Sequence, residues 1–139
     1  MKRIELNQIG NFDPWDGDKI RELKDNKIAE RISDKLLFGN EEMNLWEITL
    51  EPNARLPFRL HQYNYSWTCL TGGMVLSRFD TGKIELTCYE KGESAYCNIN
   101  QERIICDLEN IGEAPVKFTL IEYKNLKVET PPRPIVKYL

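Results

Sequence analysis

The stretch from Leu56 to Gly73, LPFRLHQYNYSWTCLTGG, holds the only histidine of the chain, His61. Around it, Arg59, Tyr63, Tyr65, Trp67 and Cys69 recur at every second position. Side chains of a strand alternate between its two faces, so one regular strand here would point all six the same way. The set amounts to an aromatic slot with a guanidinium and an imidazole near its mouth. Ligand pockets have this character, mostly apolar with a few converging polar groups. A guanidinium can clasp a planar anion through two parallel hydrogen bonds, while imidazole and phenol orient it. Two catalytic readings use the same residues. Cys106 beside His61 would supply a thiolate–imidazole pair with Arg59 lowering the thiol pKa. His61 with Tyr65 would supply a base and an acid for proton transfer.

Each side chain also has a plainer use. Arg59 can pair with an internal acid such as Asp107 or Glu122. Tyr63, Tyr65 and Trp67 can simply fill a core. His61 can be a hydrogen-bonded core histidine, and buried cysteines such as Cys69, Cys88 and Cys106 are usually inert.

The elements that must position these residues read as strands. MNLWEITLE alternates, with Trp46, Ile48 and Leu50 on one face and Glu47, Thr49 and Glu51 on the other. PNAR breaks it, since proline donates no ladder hydrogen bond and asparagine tolerates a left-handed backbone. Further strands are predicted in KIAERISDKLLF, NYSWTCL, MVLSRF, IELTCYE, RIICDLEN and VKFTLIEY, divided by GNEE, TGG, DTGK, KGES and IGEAP. Seven or eight strands about ten residues apart point to an all-β sandwich or barrel. Residues 16 to 24, DGDKIRELK, are the only segment expected to be helical, of at most two turns. The tail VETPPRPIVKYL, with three prolines, is expected to run extended along an edge or across a partner. No repeat or linker divides the chain, so residues 1–139 read as one domain: an N-terminal arm (1–27), a barrel core (28–123) and a C-terminal tail (124–139).

Composition narrows the function classes. The 139 residues are 41% hydrophobic and 29% charged, with a net charge of −3. These are the values of an ordinary globular protein, with no basic face for nucleic acid or an anionic membrane. The first residues, MKRIELNQIGNF, do not read as a secretory signal, and no apolar run reaches the ~20 residues a membrane span needs. Four cysteines without a C-x-x-C pair then imply reduced thiols and a cytoplasmic location.

The sequence resembles the cupins, small jelly-roll barrels whose first motif runs G-x5-H-x-H-x3-E-x6-G. Placing Asn53 at the first glycine puts Arg59, His61, Tyr65 and Gly72 at the other marked positions without a gap. WEITLEPNARLPF is similar to the strand that leads into that motif. CDLENIGEAPVKF is similar to the end of the second motif, with Cys106 at its histidine and Asn110 at its asparagine. The likeness covers roughly residues 28 to 123. It implies an all-β cupin-type double-stranded β-helix, a homodimer, and a metal held by the residues at positions 59, 61, 65 and 106. Three of those four differ from the family pattern, and one is a cation that cannot ligate. A small-molecule-binding cupin without the usual metal is therefore expected, with no cofactor. Its ligand would be a small carboxylate or phosphate held by Arg59, His61, Tyr63, Tyr65, Trp67 and Cys106. The alternatives are a cupin-type enzyme, metal-dependent or acid–base, and an interaction module whose barrel is filled by its own side chains.

Overall fold

The computed structural model describes residues 1–99 and 103–124. The expected proline-rich tail thus lies, apart from Lys124, outside the described residues. The elements in chain order are β1 (Lys2–Asn7), α1 (Gly17–Lys24), β2 (Lys35–Gly39), β3 (Met43–Leu50), β4 (Arg55–His61), β5 (Asn64–Cys69), β6 (Gly73–Arg78), β7 (Ile84–Tyr89), β8 (Ser94–Cys97), β9 (Ile104–Asn110) and β10 (Val116–Tyr123). Two five-stranded antiparallel sheets face each other, in the orders β1-β7-β6-β9-β4 and β2-β3-β10-β5-β8. This is the jelly-roll sandwich expected from the alternation and turn spacing.

Most predicted strands fall within a residue or two of the observed ones. Trp46, Ile48 and Leu50 point inward at 4% exposure each. Asn53 takes a positive φ of 67° at the turn that was read as a break. The TGG turn needs glycine for two reasons. Gly73 has a φ of 140°, and a Cβ there would lie 2.4 Å from Val116 Cγ2. Three elements were missed. Residues 59 to 69 are two strands in different sheets rather than one, because Gln62 and Tyr63 turn the chain from β4 into β5. Strand β8 lies in the stretch from the end of KGES to RIICDLEN, where no strand is expected. Strand β1, KRIELN, pairs with β7, Lys2 opposite Cys88.

Helix α1 forms where sequence capping dictates. The Asp16 carboxylate accepts from Asp18 N, Asp18 occupies the first turn, and Arg21 and Lys24 the last. The helix buries Leu23 completely, against Phe58, Leu60, Ile105 and Trp15 on the outer face of the first sheet. The larger core lies between the sheets and includes Ile48, Trp67, Val75, Phe118 and Leu120. Strands β4 and β9 are therefore apolar on both faces.

On that outer face the Asp107 carboxylate is fully buried and accepts three bonds. These come from Arg55 Nε at 2.7 Å, Arg78 Nη1 at 2.9 Å and Arg78 N at 2.6 Å. Arg55 also reaches Glu22 of α1 at 2.9 Å. Removing one partner of such a buried pair strands the other charges, at a cost of about 3–5 kcal/mol. Asp107→Ala is therefore expected to lower the urea denaturation midpoint by that equivalent. A loss below about 1 kcal/mol, the scale of an exposed pair, would show the network to be peripheral.

Candidate functional site

A cavity of about 270 Å³ lies between the sheets. Its position follows from strand parity and one irregularity. The β4–β9 register shifts between Leu56 and Arg59, at Pro57, which has no N–H to give the ladder. Without that shift Leu56 and Arg59 would face opposite ways; with it both line the cavity, as His61 does. The two-residue turn at Gln62–Tyr63 then preserves parity, so Tyr65 and Trp67 enter from the other sheet.

Of the residues expected at the site, Arg59, His61, Tyr65, Trp67 and Cys106 line this cavity and Tyr63 does not. Tyr63 sits half-buried in the turn, because the continuous strand that would have aimed it inward does not exist. Cys69 is fully buried in the core, away from the cavity lining. The partners foreseen for Arg59 are committed elsewhere. Asp107 faces the other side of the sheet, and Glu122 accepts from Trp46 Nε1 at 2.6 Å and Asn44 Nδ2 at 3.1 Å. The Arg59 guanidinium keeps one long bond, Nε to the Ile32 carbonyl at 3.4 Å, and has no carboxylate in ion-pair range among the described residues. Burial lowers its pKa and the charge of Asp34 partly opposes this, but an arginine remains a cation.

His61 stacks on Tyr65 with ring centroids 4.3 Å apart and planes 19° from parallel. Its Nδ1 is buried without a hydrogen-bond partner among the described residues. Burial drops its pKa to about 4, so the imidazole is neutral at pH 7. Burial also holds both cavity tyrosines in the phenol form. Tyr65, in contact with Cys97, is pushed well above the usual range, and Tyr89 is pushed up to about 12. The Cys106 thiol is raised first by burial and then by Asp107. Arg59, its cross-strand partner, does not make it a thiolate, and no hydrogen bond joins it to His61 among the described residues. The thiolate–imidazole reading is thereby corrected. The floor is aromatic, with Trp67, Tyr89 and Phe118 meeting edge to face at centroid distances of 5.0–6.1 Å.

Sequence reading missed the polar wall of the first sheet. Glu85, Thr87 and Tyr89 alternate inward along β7, and Arg3 joins them from β1. The alternation in IELTCYE carried that signal, but only the register shows which of its faces lines the site.

No protein-family model matches the chain, and no curated protein is similar to it. Solved structures are similar in fold. A cupin domain from Bordetella pertussis Tohama I superposes with a TM-score of 0.58 at 20% identity, covering 65% of this chain and 90% of that one. An RmlC-like cupin family protein with a double-stranded β-helix fold, from Methanocaldococcus jannaschii, gives 0.52 at 14% identity, covering 68% and 82%. A conserved protein with a double-stranded β-helix domain from Klebsiella pneumoniae gives 0.51 at 13%, covering 73% and 89%. The chain has the cupin fold. In this cupin barrel the positions that the likeness assigns to a metal carry a guanidinium, a neutral imidazole, a phenol and a thiol. A guanidinium has no lone pair to give, and a phenol and a thiol stand where the pattern has a carboxylate and an imidazole. Among the described residues no group of three or more His, Cys, Asp or Glu converges as for a metal ion. The residues present do not fit the metal.

The buried histidine makes stability depend on pH in a stated direction. Its folded pKa of about 4 lies below the unfolded value near 6.5, so the unfolded chain takes the proton first. Stability contributed by neutral His61 is complete above pH 6.5 and is lost as pH falls towards 4. Between pH 7 and pH 5 the wild type is expected to lose about 2 kcal/mol more than His61→Phe, measured by denaturant titration at both pH values. Parallel losses would mean that His61 is solvated in the folded protein.

Proposed function

We propose that this cupin-fold barrel binds a small organic anion, a carboxylate or phosphate ester, in place of the metal that the motif resemblance implies. The observation that carries this reading is Arg59. It is a half-buried guanidinium that opens on a cavity and has no carboxylate partner among the described residues. A cation taken partly from water with only the exposed Asp34 nearby and no ion pair is costly, and an anionic ligand supplies the direct partner. The buried, unpaired Nδ1 of His61 supports the same reading, since a polar atom without a partner is also costly. Trp67, Phe118 and Leu120 offer the apolar surface for the rest of the molecule. The cavity volume of about 270 Å³ is at the small end of ligand pockets, which suits a metabolite of few atoms.

The compartment and assembly belong to the same proposal. All four cysteines are free thiols, which suits the cytoplasm, and no helix among the described residues is long and apolar enough to cross a membrane. A homodimer is supported by β2, an edge strand that exposes Leu36, Leu37 and Phe38. Two copies of one edge can pair about a two-fold axis.

A thermal-shift panel of organic acids tests the ligand reading, because a ligand that binds only the folded state raises its melting temperature. Arg59→Leu is expected to weaken binding of any acid found by about tenfold or more, the worth of a charged hydrogen-bond pair. Unchanged binding in that variant would refute the assignment.

A further inference from the structure

We propose that the cavity carries a second anion-binding end, so that its ligand is a dicarboxylate with a short apolar spacer; this rests on the anion-binding reading above. The first end is Arg59 on β4, one edge of the first sheet. Along the same row of the sheet Arg59 lies opposite Cys106, Cys106 bridges to Phe79, and Phe79 N bonds to the Lys83 carbonyl at 2.9 Å. Lys83 therefore stands three strand spacings away, about 14 Å of backbone separation. Inward-reaching side chains narrow that span to the length of a small diacid. Lys83 Nζ and Arg3 Nε share one carboxylate, Glu85, at 3.3 and 3.6 Å. All four charged groups line the cavity, so the lining holds three cations against one carboxylate.

The surplus is divided by position, with one positive charge at Arg59 and one at the Arg3–Lys83 pair. Between them lie apolar or weakly polar side chains, Phe79, Cys106 and Leu108. Four other acids stand near and do not line the cavity. Glu5, opposite Glu85 on β1, is exposed, and so is Asp34 near Arg59, while the buried Asp80 and Asp107 act on Cys106 from outside the lining, Asp107 being held by Arg55 and Arg78. A single anionic group can neutralise one end only, whereas a molecule with acid groups at both ends meets both. Lys83 Nζ sits 4.5 Å from the Phe79 ring centroid, which draws the partly exposed ammonium towards the apolar middle.

The test compares glutarate and adipate with butyrate and hexanoate, and with inorganic phosphate, by calorimetric titration at low ionic strength, where screening is least. The diacids are expected to bind at least tenfold more tightly than the monoacids and than phosphate. Lys83→Gln and Arg3→Gln change partly exposed side chains and are expected to reduce diacid affinity to the monoacid level. They should lower monoacid affinity far less than diacid affinity, while Arg59→Leu weakens both classes. Monoacids or phosphate binding as tightly as diacids would overturn the second end and leave anion binding intact. Diacid affinity unaltered in both Gln variants would overturn it too. No binding by any acid would overturn the anion-binding reading and this inference together.

Discussion

The Asp107 carboxylate is the tie on which the site depends. It sits on the outer face of β9 and draws in Arg55 from β4 and Arg78 from β6, the second through both backbone and side chain. Through Arg55 it also engages Glu22 of α1. Because alternate residues face opposite ways, fixing Asp107 outward fixes Cys106 and Leu108 inward. The same tie holds β4 against β9 beside the bulge at Pro57 that brings Arg59 to the cavity. The outer face thus sets the geometry of the inner one. A charge cluster in such a place is weak support for stability as such, but its directional bonds admit one register and penalise a slipped one.

The chemistry inside the barrel follows from burial more than from residue identity. Imidazole, phenol and thiol are all groups that could serve as ligands or catalysts, and desolvation holds each in its neutral form. Arginine alone among them keeps its charge under burial. The cavity lining therefore combines neutral hydrogen-bonding groups with three cations and one carboxylate, Glu85. The neutral His61 ring lies flat on Tyr65.

Much of the fold was legible in the sequence because strand alternation and turn chemistry are local. Trp46, Ile48 and Leu50 declared their face, Asn53 its left-handed turn, and Asp16 and Asp18 the start of α1. Asn110, matched to an asparagine of the second motif, is fully buried and donates to the Leu50 and Ala114 carbonyls at 2.9 Å, closing the turns beside it. What escaped was non-local. NYSWTCL reads as a strand from Asn64, as β5 is, but the break at Gln62–Tyr63 carries no glycine or proline, so the residues do not show that the face of Arg59 and His61 fails to continue through Tyr63. Arg3 and Lys83 looked like solvated charges of an arm and a turn. Only pairing of β1 with β7 brings them to one cavity. Likewise, Asp107 as a partner for Arg59 was a reasonable guess from charge that strand parity forbids.

The pairing of β1 with β7 also orders events in folding. Lys2 meets Cys88, and Arg3 meets Thr87, across most of the described chain. Contacts of such long range form slowly, since the loop between them must close before they are rewarded. The β3–β10 pairing spans a similar length of chain, Met43 opposite Tyr123, but β1 is a sheet edge, and the other strands can pair without it. Without β1 the barrel stands open along one side and Arg3 is missing from its wall. Closing that side and placing Arg3 in the cavity lining are thus one and the same event.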